Sequence, residues 1–233
     1  MARTEKVPNE LKKQLQRQEH RRREEMRSKR LYFLIVCEGE KTEPLYFEAF
    51  KNDLPKGLLE NATIEIEGEG KNTLSLIESV AKIRERREME SGRSYDQTWA
   101  VFDRDSFLPQ QFNNAIFKAK AATPEIYCAW SNEAFELWYL LHFEFYQDGA
   151  SRHDYKARLE KAISQRMDTP FKYAKNDPDM YHLLKKWGNQ GQAIKWAESL
   201  EQCHHGENYA DHNPCSLVYK LVKALTDPET LSK

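Results

Sequence analysis

Arg30-Leu-Tyr-Phe-Leu-Ile-Val-Cys-Glu-Gly-Glu-Lys-Thr-Glu43 is the stretch that decides the fold. Leu31 to Cys37 is an unbroken apolar run, rich in β-branched and aromatic side chains, which predicts a strand buried on both faces. The run stops at Glu38 and Gly39. After Glu40, Lys41, Thr42 and Glu43 come Pro44 and then Leu45, Tyr46, Phe47, Ala49 and Phe50, the pattern of a helix over Glu43 to Lys51. A carboxylate therefore sits at the carboxyl end of a central strand, where open α/β sheets build their sites.

A second stretch, Thr98-Trp-Ala-Val-Phe-Asp-Arg-Asp105, repeats the arrangement. In an extended segment Asp103 and Asp105, at i and i+2, point the same way. Two such strands side by side converge Glu38, Asp103 and Asp105 at one sheet edge. Three carboxylates so close repel one another, which raises pKa values or recruits a cation. Oxygen donors without thiolate or imidazole favour Mg²⁺ or Mn²⁺. Lys41, just past the strand, is a natural phosphate ligand, with a plain surface lysine as the alternative. Taken singly, Glu38 reads as a helix-opening residue that accepts backbone N–H groups, and Asp103 with Asp105 as a capping and turn pair. Their joint position at the ends of two core strands favours a metal site.

The rest of the chain fits around these two strands. Asn61 to Glu67 alternates as a strand with one exposed face. Asn72 is positioned to cap a helix with Leu74, Ile77, Val80, Ala81 and Ile83 on one stripe, running to about Glu90. A strand over Gln97 to Phe102, a helix over Phe112 to Ala122 and a strand over Glu125 to Trp130 follow. Ser131 or Asn132 then caps a strongly apolar helix reaching Phe143. This βαβαβαβα order predicts an α/β fold, a mostly parallel sheet flanked by helices with right-handed crossovers. Beyond Gln147 the strand signals stop, and four helical stripes predict a C-terminal all-helical extension. The expected division is a helical arm over 1–30, a core over 31–146 and the extension over 147–233.

Hydrophobic residues at 39% and charged residues at 31% describe a folded chain, and the formal net charge of −1 argues against nonspecific coating of nucleic acid. The charge is unevenly spread. Arg21, Arg22, Arg23, Arg27 and Arg30 crowd the segment before the first strand and are candidate nucleic-acid contacts, although the interleaved Glu19, Glu24 and Glu25 also suit a solvated, salt-bridged helix. No run approaches the roughly 20 apolar residues of a membrane span, and the charged first residues lack the apolar core expected of a signal peptide. A cytoplasmic location with four reduced cysteines is expected.

Phe33-Leu-Ile-Val-Cys-Glu-Gly-Glu-Lys-Thr-Glu-Pro-Leu-Tyr-Phe47, Val101-Phe-Asp-Arg-Asp105 and Ser131-Asn-Glu-Ala-Phe-Glu-Leu-Trp-Tyr-Leu-Leu-His-Phe143 resemble the RloB-like family in content and order, as does Asn213-Pro-Cys-Ser-Leu-Val-Tyr-Lys-Leu-Val222. The resemblance implies a Toprim-like catalytic core in a bacterial protein of abortive-infection or restriction-associated loci. It matches Glu38 to the Toprim glutamate and Asp103 and Asp105 to the acidic pair. Glu133 stands where family members often carry proline, and Glu136 is the better match to an extra acidic metal ligand. The implied activity is a Mg²⁺- or Mn²⁺-dependent nuclease of phage defence acting on DNA or RNA, tRNA included, alongside a defence-system partner such as an ATPase. The competing expectation is a catalytically silent binding or regulatory subunit, and a third is a nucleotidyl transferase or primase-like enzyme.

Other candidates are weaker. Cys203, His204, His205, His212 and Cys215 are zinc-compatible but lack paired spacing. His142, beside Trp138 on an apolar stripe, reads as a core histidine. Trp130, Trp138, Trp187 and Trp196 read as core rather than base-stacking platforms. No Walker loop or paired-glycine dinucleotide motif is present.

Overall fold

The computed structural model describes residues 30–68, 73–104 and 108–227, together with Lys13. Residues 33–37 of β1 (Leu31–Cys37) and all of β3 (Gln97–Asp103) are buried, as their unbroken apolar runs predict. They pair in parallel with Cys37 opposite Val101. β2 (Ala62–Gly68) flanks β1 and β4 (Ile126–Asn132) flanks β3, both parallel, and the two-residue β5 (Cys215–Ser216) closes the sheet antiparallel to β4. The strand order is β2-β1-β3-β4-β5. The chain reverses direction across the sheet between β1 and β3, and such a switch point is where an α/β sheet opens a crevice. This mostly parallel α/β arrangement is consistent with the Toprim-like fold.

Side-chain alternation along the strands creates two cores. Phe33, Ile35, Cys37, Trp99 and Val101 face the layer containing α1 (Thr42–Asp53), α5 (Glu136–Leu140), α6 (Arg152–Met167), α7 (Met180–Trp187), α8 (Gln190–Gln202) and α9 (Val218–Thr226). Leu34, Val36, Ala100, Phe102 and Trp130 face α3 (Thr73–Ser91) and α4 (Pro109–Ala121). A short α2 (Lys56–Asn61) leads into β2. Trp130 and Trp138 are buried, and Trp187 and Trp196 pack against the first core. The four cysteines carry no disulfide. Among the described residues no helix is long and apolar enough to cross a membrane.

Two local expectations change. Ser131 and Asn132 do not cap a helix but continue β4, and α5 starts only at Glu136. Their polar groups are satisfied sideways: the Ser131 hydroxyl lies 3.0 Å from the Ser216 hydroxyl, and the Asn132 amide donates to the Ala210 carbonyl at 2.9 Å. The C-terminal extension is helical except for β5, which is too short to leave a periodic signal. The 1–30 arm lies outside the described residues, Arg30 and Lys13 excepted.

Candidate functional site

β1 and β3 end side by side, and the first residue beyond β1 tightens their junction. The Glu38 N–H donates to the Val101 carbonyl at 2.8 Å, which extends the ladder by one residue. The half-buried Glu38 carboxylate then accepts the backbone N–H of Asp103 at 3.3 Å. Glu38 and Asp103 are thus adjacent. Asp105 lies outside the described residues.

Next to this junction is a pocket of about 330 Å³, lined by residues 39–43 and by Asp103, Glu136, Arg152 and Lys175 among others. Asp103, Glu43 and Glu136 are 5%, 7% and 3% exposed, a degree of burial that carboxylates reach only with compensation. Arg152 supplies part of it. Its Nη2 donates to Asp103 Oδ2 at 2.7 Å, and its Nε lies 3.4 Å from Glu136 Oε2. The Tyr173 hydroxyl donates to the other Glu136 oxygen at 3.1 Å. Asp103 Oδ1 and Glu43 Oε2 are buried with no hydrogen-bond partner among the described residues.

The electrostatics follow from burial. Desolvation, and then the nearby Glu43 and Glu136 charges, hold the Asp103 carboxyl well above the usual carboxylate range against the pull of Arg152. Burial also raises Glu43, with Glu136 pushing the same way while its own backbone N–H, Arg152 and Lys175 oppose. The backbone permits this crowding at Gly39, where a Cβ would collide with the Glu43 carboxylate. Thr42 does not cap its own helix; its hydroxyl reaches Asn176 Oδ1 at 2.7 Å and joins the loop after α6 to the loop after β1.

The family model described as RloB-like protein matches residues 33–225. The chain belongs to the RloB-like family. Neither a curated protein nor a solved structure matches it.

In this RloB-like chain the sequence candidates fall into three groups. Glu38 and Asp103 are adjacent at the carboxyl edge of the sheet, Asp103 and Glu136 line the pocket beside it, and Lys41 is exposed at the pocket mouth. Arg30 is exposed at the amino end of β1, roughly 25 Å of extended strand from that edge. Arg21, Arg22, Arg23 and Arg27, like Asp105, lie outside the described residues. Glu133 accepts the Arg152 backbone N–H at 3.0 Å. His142 is a core residue: its Nδ1 is 2.9 Å from the Trp138 carbonyl and its ring meets the Trp138 ring edge-on. His204 stacks on His212 with its Nε2 3.0 Å from the Pro214 carbonyl. Among the described residues no three His, Cys, Asp or Glu side chains are arranged to hold a metal ion. Sequence reasoning missed Glu43, Arg152, Tyr173 and Lys175.

The donor set nonetheless suits the cation the family resemblance implies. It consists of hard carboxylate oxygens, and two of them are buried and lack a partner, so a hard divalent ion would satisfy them.

Proposed function

We propose that this RloB-like chain is a Mg²⁺- or Mn²⁺-dependent nuclease that hydrolyses phosphodiester bonds in DNA or RNA at the β1/β3 pocket. The observation that carries the reading is the pair of buried, partnerless carboxylate oxygens, Asp103 Oδ1 and Glu43 Oε2, at the carboxyl edge of a parallel sheet. Glu43, Asp103 and Glu136 would hold the cation, with Asp105 as a further candidate. Such an ion supplies Lewis-acid polarisation of the phosphoryl group and a nucleophilic water at neutral pH. Lys41 and Lys175, both exposed on the pocket wall, attract and orient the phosphate through charge. Glu38, half-buried beside Asp103, would either join the cation's ligands or take the proton of the attacking water. The new P–O bond forms as the ester P–O bond breaks, and the leaving oxygen receives a proton from solvent. The role as effector of a cytoplasmic phage-defence system, working with a partner such as an ATPase, belongs to the same proposal and rests on the family resemblance.

One observation favours a second reading. The Arg152 guanidinium already neutralises part of the acid cluster, and a site so compensated suits a silent binding or regulatory subunit. Cleavage assays on plasmid, single-stranded DNA and tRNA with Mg²⁺ and Mn²⁺ separate the two. The nuclease reading expects cleavage by the wild type and a loss of at least about a hundredfold in Asp103→Asn and Glu43→Gln, with circular dichroism unchanged. Wild-type protein inert on every substrate, or variants as active as wild type, favours the regulatory subunit.

A further inference from the structure

Arg152 enters the pocket from an element outside all the sequence motifs. It is the first residue of α6, and its backbone is fixed there twice, by the capping box between Ser151 and Asp154 and by the Glu133 carboxylate on its own N–H. From this anchor the guanidinium spans Asp103 and Glu136. The Arg152 side chain is 36% exposed whereas the side chains it pairs with are 7% and 4% exposed. The compensating charge is therefore the partly exposed member of an otherwise buried cluster, carried on a long stem whose end can turn toward solvent while the acids stay on their elements.

Charge and geometry make Arg152 and a divalent cation competitors. Both are drawn to the Asp103 and Glu136 carboxylates, Arg152 on Asp103 Oδ2 and Glu136 Oε2 and the cation on oxygens of the same groups, and a dication beside a guanidinium within one small pocket is strongly repelled. A guanidinium binds carboxylate and phosphate with the same planar fork, so it can exchange one anion for the other without loss of fit. We propose that Arg152 is an internal placeholder for the cation: it pairs with Asp103 and Glu136 until a divalent ion displaces it, and its guanidinium then moves to the phosphate of the bound nucleic acid. This inference rests on reading the pocket as a cation-dependent phosphodiester site.

The test is calorimetric titration of the full chain with Mn²⁺ alone, and of the Mn²⁺-loaded protein with inorganic phosphate. Arg152→Ala is expected to bind Mn²⁺ roughly tenfold more tightly than wild type and then to bind phosphate roughly tenfold more weakly. The opposed signs matter, because a merely structural arginine weakens both. Arg152→Gln keeps hydrogen-bonding capacity without the charge and carries the test if the alanine variant does not fold. Binding of Mn²⁺ only by the variants also supports the placeholder. Wild type that binds Mn²⁺ with variants equal or weaker overturns the placeholder while leaving the cation site standing. Tighter Mn²⁺ binding with unchanged phosphate affinity overturns the transfer to phosphate. No Mn²⁺ binding by any form overturns both the inference and the cation-site reading beneath it.

Discussion

His142 and Glu43 are both buried ionisable residues next to apolar helical stripes, and burial shifts the pKa of each toward its neutral form. His142 lies among Trp138 and Phe143 in sequence, and a histidine in such company belongs to the core, where the structure places it. Burial depresses its pKa from 6.5 to about 4, opposed by hydrogen bonds that the ring gives to the local backbone. A depressed folded value means that the unfolded chain takes up the proton first. The stability this residue contributes is full above about pH 6.5 and is lost as pH falls toward about 4, a change of about 3 kcal/mol. Denaturant melts at pH 7 and pH 4.5 should show that loss in wild type and a flatter response in His142→Asn; equal slopes in the two proteins would count against it. Glu43 left no such signal, because an acid in the first turn of a helix is ordinary. Only the Gly39 contact and the neighbours brought in by the fold make it unusual.

Among the elements, β1 and β3 were readable because each is an apolar run ended by an acid, and a strand buried on both faces needs no periodicity to be recognised. The start of α5 was not, since Ser131 and Asn132 resemble caps and it is pairing with β3, β5 and Ala210 that makes them strand residues. α6 carries a different lesson. Its Ser151-x-x-Asp154 capping box marks a helix start, yet the first helical residue is an arginine, which opposes the helix dipole. A cation in that position points to acids beyond the helix, and those acids are Asp103 and Glu136, 49 and 16 residues earlier in the chain. Ser151→Ala should cost about 1 kcal/mol through loss of the cap. Because the cap fixes the backbone that carries Arg152, the same variant should also alter Mn²⁺ affinity. A lower melting temperature with unchanged Mn²⁺ binding would show that Arg152 is held by its acids alone.

At the scale of the whole molecule, the sequence separates a sheet-forming half from a helical half, but the packing does not follow that division. Tyr155, Leu159, Ile163, Leu184, Ala193, Ala197, Leu200, Leu221, Val222 and Leu225, all 0–1% exposed, share one core with Phe33, Ile35 and Val101. The large aliphatic and aromatic members of that set each contribute about 1.5–3 kcal/mol by burial. The site has the same dependence, since Arg152, Tyr173 and Lys175 reach the strand-end acids from the helical half. A fragment covering residues 31–146 would leave one face of the sheet covered only by α1, α2 and α5, uncover the apolar sides of those helices, and lose β5 from the edge of β4. It should melt without cooperativity and bind a hydrophobic dye, while the full chain melts in one transition. A sigmoidal melt from the fragment would mean that the sheet and its first helices suffice for folding. In that case the second half was joined to a domain already stable, and its contribution would be confined to the pocket it completes.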